Sequence, residues 1–419
     1  MGACKTGEPD AAQRRVARSS HHTEIRIKAM VPVYTEKRVE KSSITPVNSR
    51  FTHSVHQYHA VMPWSQDMTH LLYIGFDSEE EASIVVQRLA DGKEHVLAQT
   101  TLFNYHDCAG QHWIFDDRAV VFGDKDAKGD GVLSIVYLER PGVVEKLTEL
   151  PDCGIRHVCA DQRHALGMRR SSEKTGGSIE RIDLQERTSE TLVTVAEAVE
   201  TVPEPLYTEF IEDTASFHIN HPVYNRQETR LFFKLMRRFA DGTGQFGAFF
   251  VKDLESGDLR CFGREISGHP CWMPDGRAIL NIASPQGYDY VRGEGFKSGD
   301  GSGNRWVVVV DAQTGEYERL VDQPIEGPGH PDISPDGNWV VTDAFTADAK
   351  KCPIYVIEIK TGIVREIARL DHKSGGRSVN ELTRGQPHPS WSPDSKQVLV
   401  NCNHGGRGIQ PLILHDFLP

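Results

Sequence analysis

Short apolar runs, each closed by turn residues, recur along the whole chain. Examples are "SIVVQRLADGKEHVL", "LSIVYLERPGVVEKL" and "WVVVVDAQTGEYERL". In each of them an apolar stretch leads into an Asp, Gly or Pro turn, and a second stretch ends in charged or polar residues. This pattern predicts two antiparallel strands joined as a hairpin. The chain is therefore predicted to be all-β.

A repeated phrase separates these hairpins. Four copies share a His-Pro pair, and they are "HPVYNRQETRLFF" from His221, "HPCWMPDGRAILNI" from His269, "HPDISPDGNWVVTD" from His330 and "HPSWSPDSKQVLVN" from His388. Each gives a short strand, a Pro-Asp type of turn and a buried apolar strand. Weaker copies begin at Met62, His112 and His157. Seven copies, each followed by a hairpin, predict a seven-bladed β-propeller of four-stranded antiparallel blades around a central channel, with six or eight blades as alternatives.

The predicted propeller occupies most of the chain. We expect residues 1–20 to be a disordered leader and residues 21–419 to form one propeller domain. The last strand, "IQPLILHDF", is expected to share a blade with the N-terminal segment "TEIRIKAMVPVYTE", which would close the ring. The segment "GEGFKSGDGSGNRW" from Gly293 is interpreted as a loop over the channel mouth, with gating as one possible role.

Composition restricts the choice of partners. The 419 residues carry a formal net charge of -12, which argues against a nucleic-acid partner but leaves acidic substrates open. The eight cysteines form no CxxC pair, so a reduced, cytoplasmic setting is the simpler interpretation. No apolar stretch reaches the length of a membrane span. The start "MGACKT" matches an acylation pattern, although a leader explains it as well. The oligomeric state is left open.

Histidines begin four of the repeated phrases, and neither the strands nor the turns of a propeller require them. Equivalent positions in successive blades converge on the channel, so these imidazoles are expected to surround one of its mouths. A second group lies in "FTHSVHQYH" and "YHDCAGQH". Several neutral imidazoles with an amide oxygen would suit a divalent cation, Mn²⁺ first, with Zn²⁺ or Ca²⁺ as alternatives. In the competing interpretation, each histidine bonds to a neighbouring blade and is only structural.

Two of the phrases carry a family resemblance. "GHPCWMPDG" and "QPHPSWSPDSKQVLVNCNHGG" resemble segments of the oligogalacturonate lyases, seven-bladed propeller enzymes, and the likeness extends from Asn220 to Leu414. The resemblance implies that His269 and His388 hold Mn²⁺. Gln386 stands where the family has the first histidine of an H-P-H-P phrase. The resemblance therefore implies the family's metal site in this chain more strongly than it implies the family's catalytic residues.

The catalytic positions of that family are changed in this chain. The family's proposed base, an arginine, corresponds to Asn225, with Arg226 next to it, and its nearby catalytic histidine falls where Arg237 and Arg238 stand. A different substrate or a rearranged base is therefore expected.

The resulting hypothesis is a lyase that cleaves a uronic-acid-containing glycan by metal-assisted β-elimination. The predicted partner is an acidic oligosaccharide. The predicted residues fall into three groups: His269, His330, Gln386 and His388 hold the metal; Arg226, His59, His112 and His221 are candidate bases; and Tyr58, Tyr224, Arg237 and Arg238 bind substrate. Trp272 and Trp391 are assigned to the core rather than to sugar stacking.

Two alternatives remain at this point. One is another carbohydrate-active propeller enzyme, such as a glycosidase, epimerase or dehydratase with histidine acid-base chemistry. The other is a non-catalytic binding propeller of the TolB or WD type. No G-x-S-x-G elbow or P-loop occurs, so a serine hydrolase or nucleotide enzyme is not supported.

Overall fold

The computed structural model describes residues 37–38, 42–150, 153–212, 214–240, 246–263, 269–282, 288–291, 295–298, 304–322, 324–326, 328–344, 351–371, 386–403 and 408–419. The expected leader, the segment "TEIRIKAMVPVYTE" and much of the expected gating loop lie outside these residues.

Antiparallel strands that follow one another in the chain make up the first four sheets. Sheet 1 contains β3 (His53–Val55), β4 (His70–Phe76), β5 (Ala82–Arg88) and β6 (Lys93–Thr100); sheet 2 contains β7 (His112–Ile114), β8 (Ala119–Lys125), β9 (Gly131–Tyr137) and β10 (Val144–Lys146). Sheet 3 contains β11 (Cys153–Val158), β12 (His164–Arg169), β13 (Ser178–Asp183) and β14 (Thr188–Thr194); sheet 4 contains β15 (Thr214–Tyr224), β16 (Arg230–Phe239), β17 (Phe246–Asp253) and β18 (Leu259–Gly263).

The remaining sheets repeat this arrangement with additions. Sheet 5 contains β19 (Cys271–Trp272), β20 (Ala278–Ile282), β23 (Asn304–Val310) and β24 (Tyr317–Arg319), joined by β25 (Ile325–Glu326) and interrupted by the hairpin of β21 (Tyr288–Val291) and β22 (Gly295–Ser298). Sheet 6 contains β26 (Pro328–Ile333), β27 (Trp339–Ala344), β28 (Lys351–Glu358) and β29 (Val364–Asp371), with β1 (Lys37–Arg38) parallel to β29. Sheet 7 contains β30 (Ser390–Trp391), β31 (Val398–Asn403), β32 (Ile409–His415) and β2 (Ser43–Pro46).

Two short helices connect sheets 3 and 4. Helix α1 (Val195–Thr201) begins with a capping box, in which Thr194 accepts from the backbone of Glu197 and the Glu197 side chain accepts in return. Its apolar face packs into the core between these two sheets. Helix α2 (Leu206–Ile211) follows it.

The hydrophobic core lies between neighbouring sheets. Val55 and Leu72 of sheet 1 pack with Val120 and Phe122 of sheet 2, and comparable clusters join sheets 2 and 3, sheets 3 and 4, sheets 4 to 6, and sheets 6 and 7. A sixth cluster joins sheet 7 to sheet 1. Since both faces of the central strands of the sheets, such as β8 and β28, are covered, their apolar runs in the sequence are nearly continuous. The all-β propeller of four-stranded antiparallel blades, predicted from the repeats, is confirmed.

Tryptophans of the repeated phrase join successive sheets. The indole N–H of Trp113 donates to the carbonyl of Pro63, that of Trp272 to Val223, and that of Trp391 to Asp332. The first two distances are 3.0 Å and the third is 3.2 Å. Each acceptor lies in the phrase of the preceding sheet, so the tryptophans are part of the core, as expected for Trp272 and Trp391.

An N-terminal strand completes the last sheet, although it is not the strand predicted. Ser43–Pro46 pairs antiparallel with β32, from Ser43 opposite His415 to Pro46 opposite Leu412. This pairing strand follows the segment "TEIRIKAMVPVYTE" in the chain, and that segment lies outside the described residues. Ser43, Ile44 and Thr45 are exposed and Pro46 is half-buried, because this strand lies at the outer edge of its sheet.

No described helix is long and apolar enough to cross a membrane. Six described cysteines are free, namely Cys108, Cys159, Cys261, Cys271, Cys352 and Cys402.

A candidate metal centre of converging imidazoles

Backbone irregularities turn the phrase histidines inward. His221 lies in β15 where the register with β16 shifts between Asn220 and Val223, and its φ is 54°. His330 lies at the matching shift in β26, between Pro328 and Pro331. His388, just before β30, has a φ of 43°. A bulge redirects a side chain, and a non-glycine residue at positive φ costs about 1–3 kcal/mol. Such strain is typical of functional sites.

The redirected rings form one cluster around Tyr58, which is buried. Six imidazoles contact the Tyr58 ring, with centroid distances of 4.4 Å for His59, 4.7 Å for His106, 4.7 Å for His388, 5.6 Å for His330, 5.7 Å for His221 and 5.8 Å for His269. We call these seven residues the imidazole cluster. They come from the innermost strands, and the connections beside them, of six different sheets, so the convergence predicted from the repeats is present in the structure.

The four residues predicted to hold a metal are contiguous within and beside this cluster. The rings of His269 and His330 have centroids 4.1 Å apart, and those of His330 and His388 are 4.5 Å apart. His388 Nε2 lies 3.1 Å from the side-chain oxygen of Gln386. The structure thus brings His269, His330, His388 and Gln386 together.

Acceptors fix the orientation of two of these rings. His269 Nδ1 lies 2.7 Å from the carbonyl oxygen of Gly329, and His330 Nδ1 lies 2.9 Å from a carboxylate oxygen of Asp343. In each ring Nδ1 donates its hydrogen bond to the acceptor, so Nε2 is the nitrogen that could bind a metal. Metal-binding histidines are commonly arranged in this way.

Further nitrogen atoms in the cluster are available as ligands. One potential ligand atom each from His59, His221 and His269 lies within 4.8 Å of the others. The buried Nδ1 atoms of His59, His221 and His388 have no hydrogen-bond partner among the described residues. A buried polar atom without a partner is costly, so these atoms point to a bound group. Imidazole nitrogens with one amide oxygen fit a divalent cation such as Mn²⁺ or Zn²⁺.

Burial keeps these imidazoles neutral. Desolvation, with neighbouring positive charges and imidazoles, holds the pKa of His59, His221, His269 and His388 well below 6.5. Neutral imidazole is the form that binds metals. These four imidazoles are therefore in their ligand form at neutral pH.

Asp343 positions two of the histidines, and the sequence-based prediction missed it. Its fully buried carboxylate accepts from His330 N at 2.8 Å, from His330 Nδ1 and from His388 N at 3.3 Å. Asn401, at the same place in the next sheet, bonds to both backbone groups of His56. A signal was present, because Asp343 and Asn401 each stand thirteen residues after the phrase histidine of their sheet.

Arg156 connects the imidazole cluster to its surroundings. Its guanidinium carbon lies 4.9 Å from the centre of the Tyr58 ring, and its Nη1 lies 2.8 Å from Asp107 Oδ1. The Tyr58 hydroxyl in turn lies 2.9 Å from His221 Nε2. Neither Arg156 nor Asp107 was expected at the site, since both belong to phrases that lack His-Pro.

Two predicted bases lie apart from the imidazole cluster. His112 is buried with its Nε2 2.7 Å from the Gln57 amide nitrogen, and it lines a separate cavity with His157. Burial lowers the pKa of His112 to about 3. Arg226 is exposed in the turn between β15 and β16, where it donates to the carbonyl of Pro335 at 2.9 Å. Sequence proximity to His221 was misleading, because five residues of extended strand span roughly 16 Å.

The predicted substrate-binding residues are also dispersed. Tyr58 lies in the imidazole cluster, whereas Tyr224 is buried in the core between sheets 3 and 4. Arg237 and Arg238 lie near the end of β16, opposite Phe217 and Ser216 of β15. The guanidinium of Arg237 packs over the Phe239 ring, and Arg238 is exposed at a cavity.

Comparison with known proteins agrees with the resemblance in the sequence. The chain is 27% identical over 158 residues to the oligogalacturonate lyase of Dickeya dadantii (strain 3937), and 26% identical over 164 residues to the oligogalacturonide lyase of Pectobacterium atrosepticum. Each alignment covers 34% of this chain and 35% of the relative, so it spans about a third of either protein. No protein-family model matches the chain.

The fold likeness covers far more of the chain than the sequence likeness does. A solved oligogalacturonate lyase in complex with manganese superposes with a TM-score of 0.64 and 17% identity, covering 93% of this chain and 97% of that one. An oligogalacturonate lyase from Vibrio parahaemolyticus superposes with a TM-score of 0.61 and 15% identity, covering 91% and 95%. The resemblance to oligogalacturonate lyases thus extends beyond residues 220–414 at the level of the fold.

Proposed function

We propose that this protein is a lyase that cleaves uronic-acid-containing oligosaccharides, of the pectic class, by metal-assisted β-elimination. The observation that carries the proposal is the succession of contacts that joins the rings of His269, His330 and His388 to the Gln386 side-chain oxygen at the imidazole cluster. The similarity to proteins named oligogalacturonate lyase, one of them in complex with manganese, supports both the substrate class and Mn²⁺ as the metal.

The chemistry explains why such a centre is useful. The C5 proton of a uronate is weakly acidic because it is α to a carboxylate, and a bound divalent cation would supply charge that stabilises the enolate-like state. Four residues, His269, His330, His388 and Gln386, would hold the cation. The position of Asp343 orients two of them.

We assign the proton transfers to His221 and Tyr58, whose Nε2 and hydroxyl lie 2.9 Å apart. Neutral His221 takes the C5 proton, the C4–C5 double bond forms and the C4–O bond breaks. The leaving oxygen takes the Tyr58 hydroxyl proton, which the His221 imidazolium then replaces. His59, with its ring centroid 5.9 Å from that of His221, is the alternative base.

The same proposal includes the finer features of the molecule. We infer that the seven four-stranded sheets close as a seven-bladed ring, with β2 and β32 sealing it. Free cysteines among the described residues support a reducing, cytoplasmic location.

The test is an assay of the purified protein with Mn²⁺ on oligogalacturonates and on other uronate oligosaccharides. We expect new ultraviolet absorbance from the conjugated unsaturated product, loss of activity with a chelator and recovery with Mn²⁺. Cleavage without unsaturation would indicate a glycosidase instead. Absence of cleavage on pectic, ulvan-type, glucuronan and rhamnose-glucuronate substrates would contradict the proposal.

A further inference from the structure

A sizeable cavity lies next to Arg156, the residue that contacts Tyr58 of the imidazole cluster. It measures about 370 Å³, within the usual size range of ligand sites, and lies between sheets 2 and 3. Arg156, Arg170 and Asp107 line it. Arg156 also lines the small pocket that Tyr58, His59 and His221 enclose, so one side chain forms a wall of both spaces.

A second cavity extends the first toward sheet 4. It measures about 230 Å³ and shares Met168 and Arg170 with the larger one. Arg169, His218 and Arg238 also line it. The two cavities adjoin at Met168 and Arg170, and together they extend from Arg156 beside the imidazole cluster to Arg238 at the end of β16. We call them together the arginine groove.

The charge of this groove is opposite to that of the protein. Four arginines line it, namely Arg156, Arg169, Arg170 and Arg238, and Asp107 is the one acidic residue among the described lining residues. The chain as a whole has a formal net charge of -12. A cationic groove in an acidic protein concentrates anionic ligands there.

Among the described residues, few carboxylates balance these guanidinium groups. Asp107 pairs with Arg156 and is also within the electrostatic reach of Arg170, whereas Arg169 and Arg238 have no ion pair in the described part of the chain. Elsewhere on the surface arginines are paired, as Arg187 is with Glu145 and Glu149. Burial and the charges of Arg238 and Arg170 lower the pKa of His218 to about 4. Unpaired arginines facing a cavity are suited to bidentate binding of carboxylates.

We propose that the arginine groove is the binding track for the uronate residues next to the cleaved bond. Arg156 binds the carboxylate nearest the metal centre, and Arg170 and Arg238 bind those further along. This inference rests on the proposed function, since it takes the imidazole cluster as the reacting end. It makes the protein selective for oligomers with successive free carboxylates.

The groove also offers a steric test, because Gly154 lines the larger cavity. A Cβ built on Gly154 meets no heavy atom within 4 Å, and its φ is not in the left-handed region. The backbone therefore accepts a side chain at this position, and a leucine is expected to reduce the volume of the cavity. Gly154→Ala is the matched control, since one methyl group leaves most of the volume free.

The experiment measures binding apart from catalysis. Calorimetric titration of the full chain, freed of metal by a chelator, is made with trigalacturonate and with its methyl ester. We expect binding of the free acid only, about fivefold weaker for each of Arg170→Gln and Arg238→Gln, and weaker still for Arg156→Gln and Gly154→Leu. Arg118→Gln, exposed in the turn at the opposite end of sheet 2, should bind as the unchanged protein does.

Two outcomes separate this inference from the proposed function. Lyase activity with unchanged KM and affinity in Arg170→Gln, Arg238→Gln and Gly154→Leu would overturn the arginine groove and leave the function standing. Arginine-dependent binding of trigalacturonate without lyase activity would support the groove and overturn the function. Equal affinity for the methyl ester, or for a sulfated oligosaccharide without uronate, would also overturn carboxylate recognition.

Discussion

The two ends of the innermost strands differ although the same repeats build them. At the His-Pro end, His221 and His388 have positive φ, and buried nitrogen atoms lack partners. At the turn end, polar side chains of the phrase bond to neighbouring residues of the same turn. Ser334, for example, donates to Asp336 and accepts from Trp339 N at 3.0 Å. The His-Pro end thus has backbone strain and, among the described residues, buried ring nitrogens without hydrogen-bond partners. The turn around Ser334 has neither feature.

Within one repeat, the His-Pro residues therefore serve the proposed chemistry and the turn residues serve the fold. A turn held by hydrogen bonds among its own residues can recur in every sheet, because its conformation is set mainly by the local sequence. The His-Pro end can bind a metal only when histidines from several sheets lie together there. Residues of the turn end should therefore affect stability, and residues of the His-Pro end should affect chemistry.

The largest expected effect follows removal of a cluster imidazole. His388→Ala should lower lyase activity at least ~100-fold. Removing a hydrogen-bond partner of a metal ligand typically costs about 10–100-fold, and removing the ligand itself should cost more. Arg226→Gln, which changes the turn end, should retain activity. The initial rate of unsaturated product formation measures both. Inactivity of Arg226→Gln would show that chemistry occurs at both ends.

A smaller loss is expected when the support of the ligands is weakened. Asp343→Asn removes the charge that orients His330 and leaves the volume unchanged, so the affinity for Mn²⁺ should fall about 10–100-fold. Titration with the metal, read by calorimetry, measures this. Asp336→Asn, a turn aspartate of the same sheet, is the control. Equal affinities in the two variants would contradict a positioning role for Asp343.

The turn end should respond in stability alone. Ser334→Ala removes the hydroxyl that accepts from Trp339 N, and it should lower the free energy of unfolding by about 1 kcal/mol. Denaturant unfolding measures the change, and metal content should stay constant. A loss of metal in this variant would show that the two ends are coupled.

The smallest effect concerns Asp332, a half-buried aspartate of β26. Burial raises the pKa of Asp332 from 3.8 to about 7, so folding favours its protonated form. The stability this form provides is present below pH 3.8 and is lost as the pH rises through about 7. Asp332→Asn does not titrate, so its Tm should rise relative to the unchanged protein across that interval. A constant Tm difference would exclude this linkage.

The all-β propeller of four-stranded blades could be predicted from the sequence because each blade repeats the same local sequence pattern. His-Pro, the Pro-Asp turn and the apolar return each depend on neighbouring residues only. The convergence of His269, His330 and His388 followed from the same repeat. Asp343 was also within reach, since it recurs as Asn401 at the same distance from the phrase histidine.

Other parts of the site depend on contacts that no repeat encodes. Tyr58 and Arg156 reach the imidazole cluster from phrases without His-Pro, so their role required the positions of sheets 1 and 3. Arg226 was chosen for its place beside a family position, and the direction of an extended strand takes it away from His221. The closing strand Ser43–Pro46 is short and mostly polar, which gave no apolar signal.

The central claim is that imidazoles from separate sheets form one divalent metal centre. Its most direct test is the metal content of the full chain after loading with Mn²⁺ and removal of excess, measured by plasma mass spectrometry for the unchanged protein and for His269→Ala. The account predicts stoichiometric manganese in the first and almost none in the second. No bound metal in the unchanged protein, or equal amounts in both, would contradict it.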